Sequence, residues 1–171
     1  MQMVKKSFIV FLVAWFAILV LMPKQEFYYK LEEELAKHEI IFNEGKMNEG
    51  FFSLNLEQVT VYFKGIPVAT IEKVNLFTLL FCSSIELQAL HVDDSLKTMV
   101  PQETQKALIM HSLLSPLELS VDASGSFGAM VGTIDLHERK IRLDFNESKN
   151  IQMLKPQLKK DEKGWNYETS F

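Results

Sequence analysis

Residues Phe8 to Met22, FIVFLVAWFAILVLM, are fifteen consecutive apolar positions, preceded by Lys5 and Lys6 and closed by Pro23-Lys24. A helix apolar on every side must enter a bilayer or a protein core. At about 1.5 Å per residue the run covers roughly 22 Å, so crossing a hydrocarbon layer of about 30 Å also needs Val4, Ser7, snorkelling lysines and local thinning. Cleaved signal peptides share the basic start and the apolar length. Here Leu21-Met22-Pro23-Lys24-Gln25 offers none of the small residues a peptidase needs, and no cysteine follows to carry a lipid. The reading is an uncleaved transmembrane anchor over residues 1–24, with Phe8, Trp15, Phe16 and Leu21 as its anchoring side chains. A cleaved signal and a buried core helix are its rivals. The positive-inside bias keeps Lys5 and Lys6 cytoplasmic and places the remaining chain across the membrane.

From Gln25 to His38, Phe27, Leu31, Leu35 and His38 recur at helical spacing while Glu32, Glu33 and Glu34 turn mostly away. This predicts an amphipathic connecting helix over 25–38. Phe27, Tyr28 and Tyr29 belong to its apolar face or to an aromatic belt at the far interface. Beyond Glu39 the period becomes two. Leu54 and Leu56, then Val59, Val61 and Phe63, share a face within each segment, as do Ile85, Leu87 and Ala89, Leu117, Leu119 and Val121, and Ile141, Leu143 and Phe145. Such alternation marks strands dry on one face and wet on the other, the habit of antiparallel sheets.

Lys64-Gly65 and His137-Glu138-Arg139 are hairpin-length gaps, which fits a meander. Residues 77–82, FTLLFC, suit a buried strand or a helical turn. Pro101 followed by QETQKALIMHSLL predicts a helix over 101–114. Residues 146–171 form a polar C-terminal segment in which Gly164-Trp165-Asn166-Tyr167 suits an edge strand. The predicted fold is mainly β (α+β): a transmembrane helix, then a curved antiparallel sheet over 39–145 with one or two short covering helices.

Little in the chain points to reaction chemistry. The net charge of −4, from 18 Lys+Arg against 22 Asp+Glu, gives no attraction to polyphosphate and argues against a nucleic-acid partner. His38, His91, His111 and His137 fall in four different predicted elements, so no metal site is expected. His91-Val92-Asp93-Asp94 reads as a strand running into an acidic turn, with acid–base chemistry as the sharper alternative. Cys82 has no basic neighbour and reads as a buried structural thiol. Gly125-Ser126-Phe127-Gly128-Ala129-Met130-Val131-Gly132 lacks the Lys-Ser/Thr ending of a phosphate loop, and its glycines suit bulges or close backbone approach. Asn146-Glu147-Ser148 fits an N-glycosylation pattern.

The order of features carries a resemblance. The basic-flanked anchor, the helix, the strands through Tyr62-Phe63-Lys64-Gly65-Ile66-Pro67-Val68-Ala69 and Ile71 to Leu80, then Ile85-Glu86-Leu87, resemble the N protein of bacterial type II secretion systems. They are also similar to the broader AsmA-like envelope proteins. Residues 123–136 look like the stretch of that family where a glycine-punctuated strand precedes a hairpin. The resemblance implies a single-pass protein of the bacterial inner membrane, with its N-terminus cytoplasmic and its β domain periplasmic. It implies a role in secretion, or in moving or assembling lipid and outer-membrane components. It supplies no catalytic residues and no cofactor.

The leading expectation is a non-enzymatic accessory or scaffold of envelope transport whose partners are the membrane and other envelope proteins. The alternative is a lipid-binding or lipid-transfer protein whose candidate trough is Leu54, Leu56, Val59, Val61, Leu87, Leu119, Val121, Ile141 and Leu143, residues that in the favoured, plainer reading are simply the core. A hydrolase acting near His91 and Asp94 is the second alternative.

Overall fold

The computed structural model describes residues 2–21, 23–79, 81–96, 101–146, 151, 154–161 and 164–171. Two helices, α1 (Gln2–Leu21) and α2 (Lys24–Ala36), precede ten strands. These are β1 (Ile40–Glu49), β2 (Ser53–Phe63), β3 (Ile66–Leu79), β4 (Cys82–Val92), β5 (Glu103–Ser112), β6 (Ser115–Gly125), β7 (Gly128–Asp135), β8 (Lys140–Phe145), β9 (Lys159–Asp161) and β10 (Gly164–Ser170). They make one open antiparallel sheet in chain order through β8, followed by β10 and then β9 at the margin. The chain is mainly β, as its period-two patterning predicts.

Register joins the strands into apolar rows running across one face. One row passes through Leu54, Leu76, Ile85, Ile109, Val121, Gly132, Leu143 and Tyr167. The next passes through Met47, Leu56, Val74, Leu87, Ala107, Ala123, Met130, Phe145 and Trp165. The opposite face carries polar ladders, such as Asn55 hydrogen-bonded to Asn75 and Lys106 paired with Glu86 at 2.9 Å.

A crease crosses the first five strands. Gly45, Gln58, Glu72, Ala89 and Gln105 lie at matching positions between bracketing ladder pairs, such as Glu57↔Lys73 and Val59↔Ile71. Each strand changes phase there, so Leu56 and Val59, rather than Leu56 and Gln58, are the buried residues of β2. Gln58 (φ 57°) and Ala89 (φ 51°) make the change with left-handed backbone. The line ends between β5 and β6, where the register slips between Thr104↔Gly125 and Lys106↔Ser124 and leaves Gln105 unmatched.

Two separate cores cover parts of the apolar face. In the first, Tyr28 of α2 seats on Leu54, Leu56, Val59, Ile71 and Val74. The Tyr28 hydroxyl donates to Glu44 Oε2 at 3.3 Å. Burial, then the charges of Glu44 and Glu32, push that hydroxyl above its ordinary range. In the second core, Ile151 is completely buried with Ala123, Phe127 and Phe145, and Leu154 and Leu158 pack alongside.

Several expectations change. The predicted helix over 101–114, the second covering helix, is instead strand β5. Thr104, Ala107, Ile109 and His111 take its inner face while Leu108 and Met110 lie outward; apolar residues on both faces counterfeit a helical period in the sequence. Its covering role passes to Ile151, Leu154 and Leu158, the last two flanking the short 3-10 turn Lys155–Gln157. Residues 77–82 divide between the end of β3 and the start of β4, with Leu80 outside the described residues. Cys82, expected buried, is exposed, because it is the first residue after the β3–β4 turn.

The transmembrane part of the fold expectation is not supported: among the described residues no helix is long and apolar enough to cross a membrane. The twenty residues of α1 measure about 30 Å, yet Lys5, Lys6 and Ser7 occupy its first third and the apolar stretch starts only at Phe8. The described apolar side chains that are exposed lie on every side of that stretch, including consecutive residues from Phe8 to Val13.

Candidate functional site

Against the second core, whose Ala123, Phe127 and Phe145 form part of the wall, the apolar face is open. Here it forms a cavity of about 440 Å³, walled by side chains of β4, β5, β6, β7, β8 and β10 and by Pro101, Leu154 and Leu158. Its volume lies within the range of about 300–1,000 Å³ usual for small-molecule sites.

The sheet builds the cavity by position in the rows. Leu90 and Val92 enter from β4 beyond the crease, so the phase change at Ala89 aims them inward. Ala107, Val121 and Ala123 supply short side chains in the middle, leaving space over them. Gly132, between Val121 and Leu143, instead admits close packing: a Cβ there would stand 2.6 Å from Leu143 Cδ2 and 2.4 Å from the Arg142 carbonyl oxygen. Phe127 and Phe145 meet edge to face at 6.2 Å between ring centroids and close one end. Phe127 is held there by the β6–β7 turn, where Gly125 lets the Glu103 carbonyl approach to 2.2 Å from an imagined Cβ and the Ser126 amide donates to that carbonyl. Along the outer side of this region, the Lys155 and Lys160 ammonium groups lie 5.6 Å and 6.0 Å from the centroid of the Trp165 ring.

The polar side chains of the wall are Thr104 and Tyr167; every other lining side chain is hydrocarbon or thioether. Among the described residues no carboxylate, imidazole, thiol or amine lines it. Such a wall solvates an apolar chain and gives a polar ligand group few partners.

Of the candidate trough residues, Val121 and Leu143 line this cavity. Leu54, Leu56 and Val59 are buried beneath Tyr28, with Val61 and Leu87 packed at the margin of that core. Leu119 and Ile141 lie one row away, half-buried, in line with His111 and Ile134. Phe127, Met130, Phe145, Leu154, Leu158 and Tyr167 are among the lining residues that the candidate trough leaves out, although alternation places Phe145 on the same face as Leu143. For Leu154 and Leu158 the usable signal was their spacing of four residues inside a lysine-rich stretch.

Of the anchor residues, Phe8, Trp15 and Phe16 are exposed on α1, and the Leu21 side chain lies outside the described residues. His91 shares a shallow pocket of about 230 Å³ with Thr70, Asp93 and Asp94, and its Nδ1 stands 3.8 Å from Glu103 Oε1. Among the described residues no group of three His, Cys, Asp or Glu side chains is placed to hold a metal. Glu147 and Ser148 of the glycosylation pattern lie outside the described residues.

Neither a protein-family model, nor a curated protein, nor a solved structure matches this chain.

Proposed function

We propose that this is a membrane-tethered lipid-binding protein of the bacterial envelope, holding an acyl chain against its sheet. The observation that carries the reading is the cavity of about 440 Å³ whose wall offers almost nothing but hydrocarbon. The tether is α1: its uncovered apolar circumference has no use in water, and Lys5 and Lys6 favour a cytoplasmic start with the sheet in the periplasm. Because α1 is short for a bilayer, this reading includes local thinning or snorkelling around it.

The test places the full chain in vesicles containing a phospholipid with a photoreactive acyl chain and maps the cross-links by mass spectrometry. Cross-links are expected on Val121, Met130 and Leu143, and are expected to vanish in Ala107→Phe or Val121→Phe chains that keep the wild-type circular dichroism. Cross-links confined to α1, or unchanged in both filled chains, would overturn the reading.

A second reading, an accessory or scaffold of envelope transport, is favoured by β1. Among the described residues this ten-residue strand is paired along one side only, with β2, so its other edge suits strand addition by a partner. Proline at Glu44 and at Glu49, whose amides face away from β2, would weaken partner capture in this reading and leave acyl cross-linking intact.

A further inference from the structure

In a meander, alternate turns fall at the same end of the sheet. The β1–β2, β3–β4 and β5–β6 turns share one end, and each is tipped with apolar side chains: Phe51 is 75% exposed, Phe81 66% and Leu114 94%, with Leu113 beside it. Neighbouring strands are about 4.8 Å apart, so the three tips repeat at about 10 Å and span about 20 Å. No Asp, Glu, Lys or Arg occurs in residues 50–56, 76–85 or 107–117. The fourth turn at this end is charged, with Glu138 and Arg139, and bounds the patch. At the opposite end the turns carry Lys64, Asp93, Asp94 and Ser126, with Phe63 and Ile66 exposed beside the first.

The apolar end is also where α1 arrives. Phe16 meets Phe52 edge to face at 5.6 Å, and the Lys24 ammonium lies 3.7 Å from Glu49 at the end of β1. A row of uncharged, exposed tips continuous with an apolar helix fits an apolar half-space bounded by water.

We infer that this end of the sheet seats in the interfacial layer of a phospholipid bilayer, the three turns dipping beside α1 while the polar turns face away. The inference rests on the membrane association proposed above and adds the orientation of the sheet on the lipid. Seated so, the strands run up from the lipid surface and the apolar rows lie parallel to it.

The single cysteine, Cys82, is exposed at the middle tip and serves as the probe. The full chain is labelled there with an environment-sensitive fluorophore and mixed with phosphatidylethanolamine–phosphatidylglycerol vesicles bearing a nitroxide on the acyl chain. A Cys82→Ser, Ser95→Cys chain carries the label at the opposite end. Loss of emission is expected at residue 82 and none at residue 95. A Phe51→Ser, Phe81→Ser, Leu114→Ser chain, still held by α1, is expected to recover the residue 82 emission. If the chain floats with vesicles but residue 82 is unquenched, or both positions quench equally, the orientation is wrong and the tether stands. If the chain does not float, both fall.

Discussion

Gln58 and Ala89 sit on one transverse line of the sheet, two strands apart, and both bend the backbone into the left-handed region. A residue with a Cβ is disfavoured there by about 1–2 kcal/mol, and glycine is not. Ala89→Gly is therefore expected to be neutral or to stabilise by up to about 1 kcal/mol, against the usual loss for glycine in a strand. Urea midpoints of the full chain in detergent, beside an Ala107→Gly control, decide it; equal losses at both positions would mean that the crease stores no strain.

Gly132 has the opposite requirement. Backbone of β8 occupies the place of its missing side chain, so Gly132→Ala must push the two strands apart. A loss of about 1–3 kcal/mol is expected. Because Leu143 leans into the same space, acyl cross-linking at Leu143 should fall with it.

Leu54 is fully buried beneath α2, whereas Leu119 is half-buried one row from the cavity. Leu54→Ala is expected to cost about 2–5 kcal/mol, and Leu119→Ala well under half of that. Thermal melts followed by circular dichroism compare the two, and a reversed order would contradict the division of the apolar face into core and open cavity.

Glu32 and Glu86 should tilt stability in opposite directions with pH. Burial first, then the Glu44 charge, raises the Glu32 carboxyl, so its contribution is complete below the ordinary glutamate value and is lost as pH rises through the raised one. The hydrogen bond from Lys106 lowers Glu86, so its contribution is present above the ordinary value and is lost as pH falls through the lowered one. Glu32→Gln should flatten the first slope and Lys106→Met the second, read as melting temperature against pH across the acid range.

Much of the sheet could be read from residue order because period two is enforced by burial on one face. Even the crease left a trace, in the change from Leu54 and Leu56 to Val59 and Val61. Strand β5 was hidden by Leu108 and Met110, which are apolar on the outer face. The cavity was only half legible. Val121 and Leu143 announce themselves by alternation, but Leu54 and Leu56 alternate equally well, and only the seating of Tyr28 separates the covered part of a row from the open part. Ile151 was hidden because the brief apolar cluster Ile151, Met153 and Leu154 keeps neither period for long. Exposure of Cys82 depends on turn position, which hydropathy does not encode.

Strands β1 to β8 each lie beside their neighbours in the chain. Contacts are consequently short in sequence for an all-β protein, which favours quick, stepwise assembly from successive hairpins. Such a ribbon can also gain or lose a hairpin without rethreading, so its width, and with it the length of greasy wall it offers, is free to vary among descendants of the same ancestor.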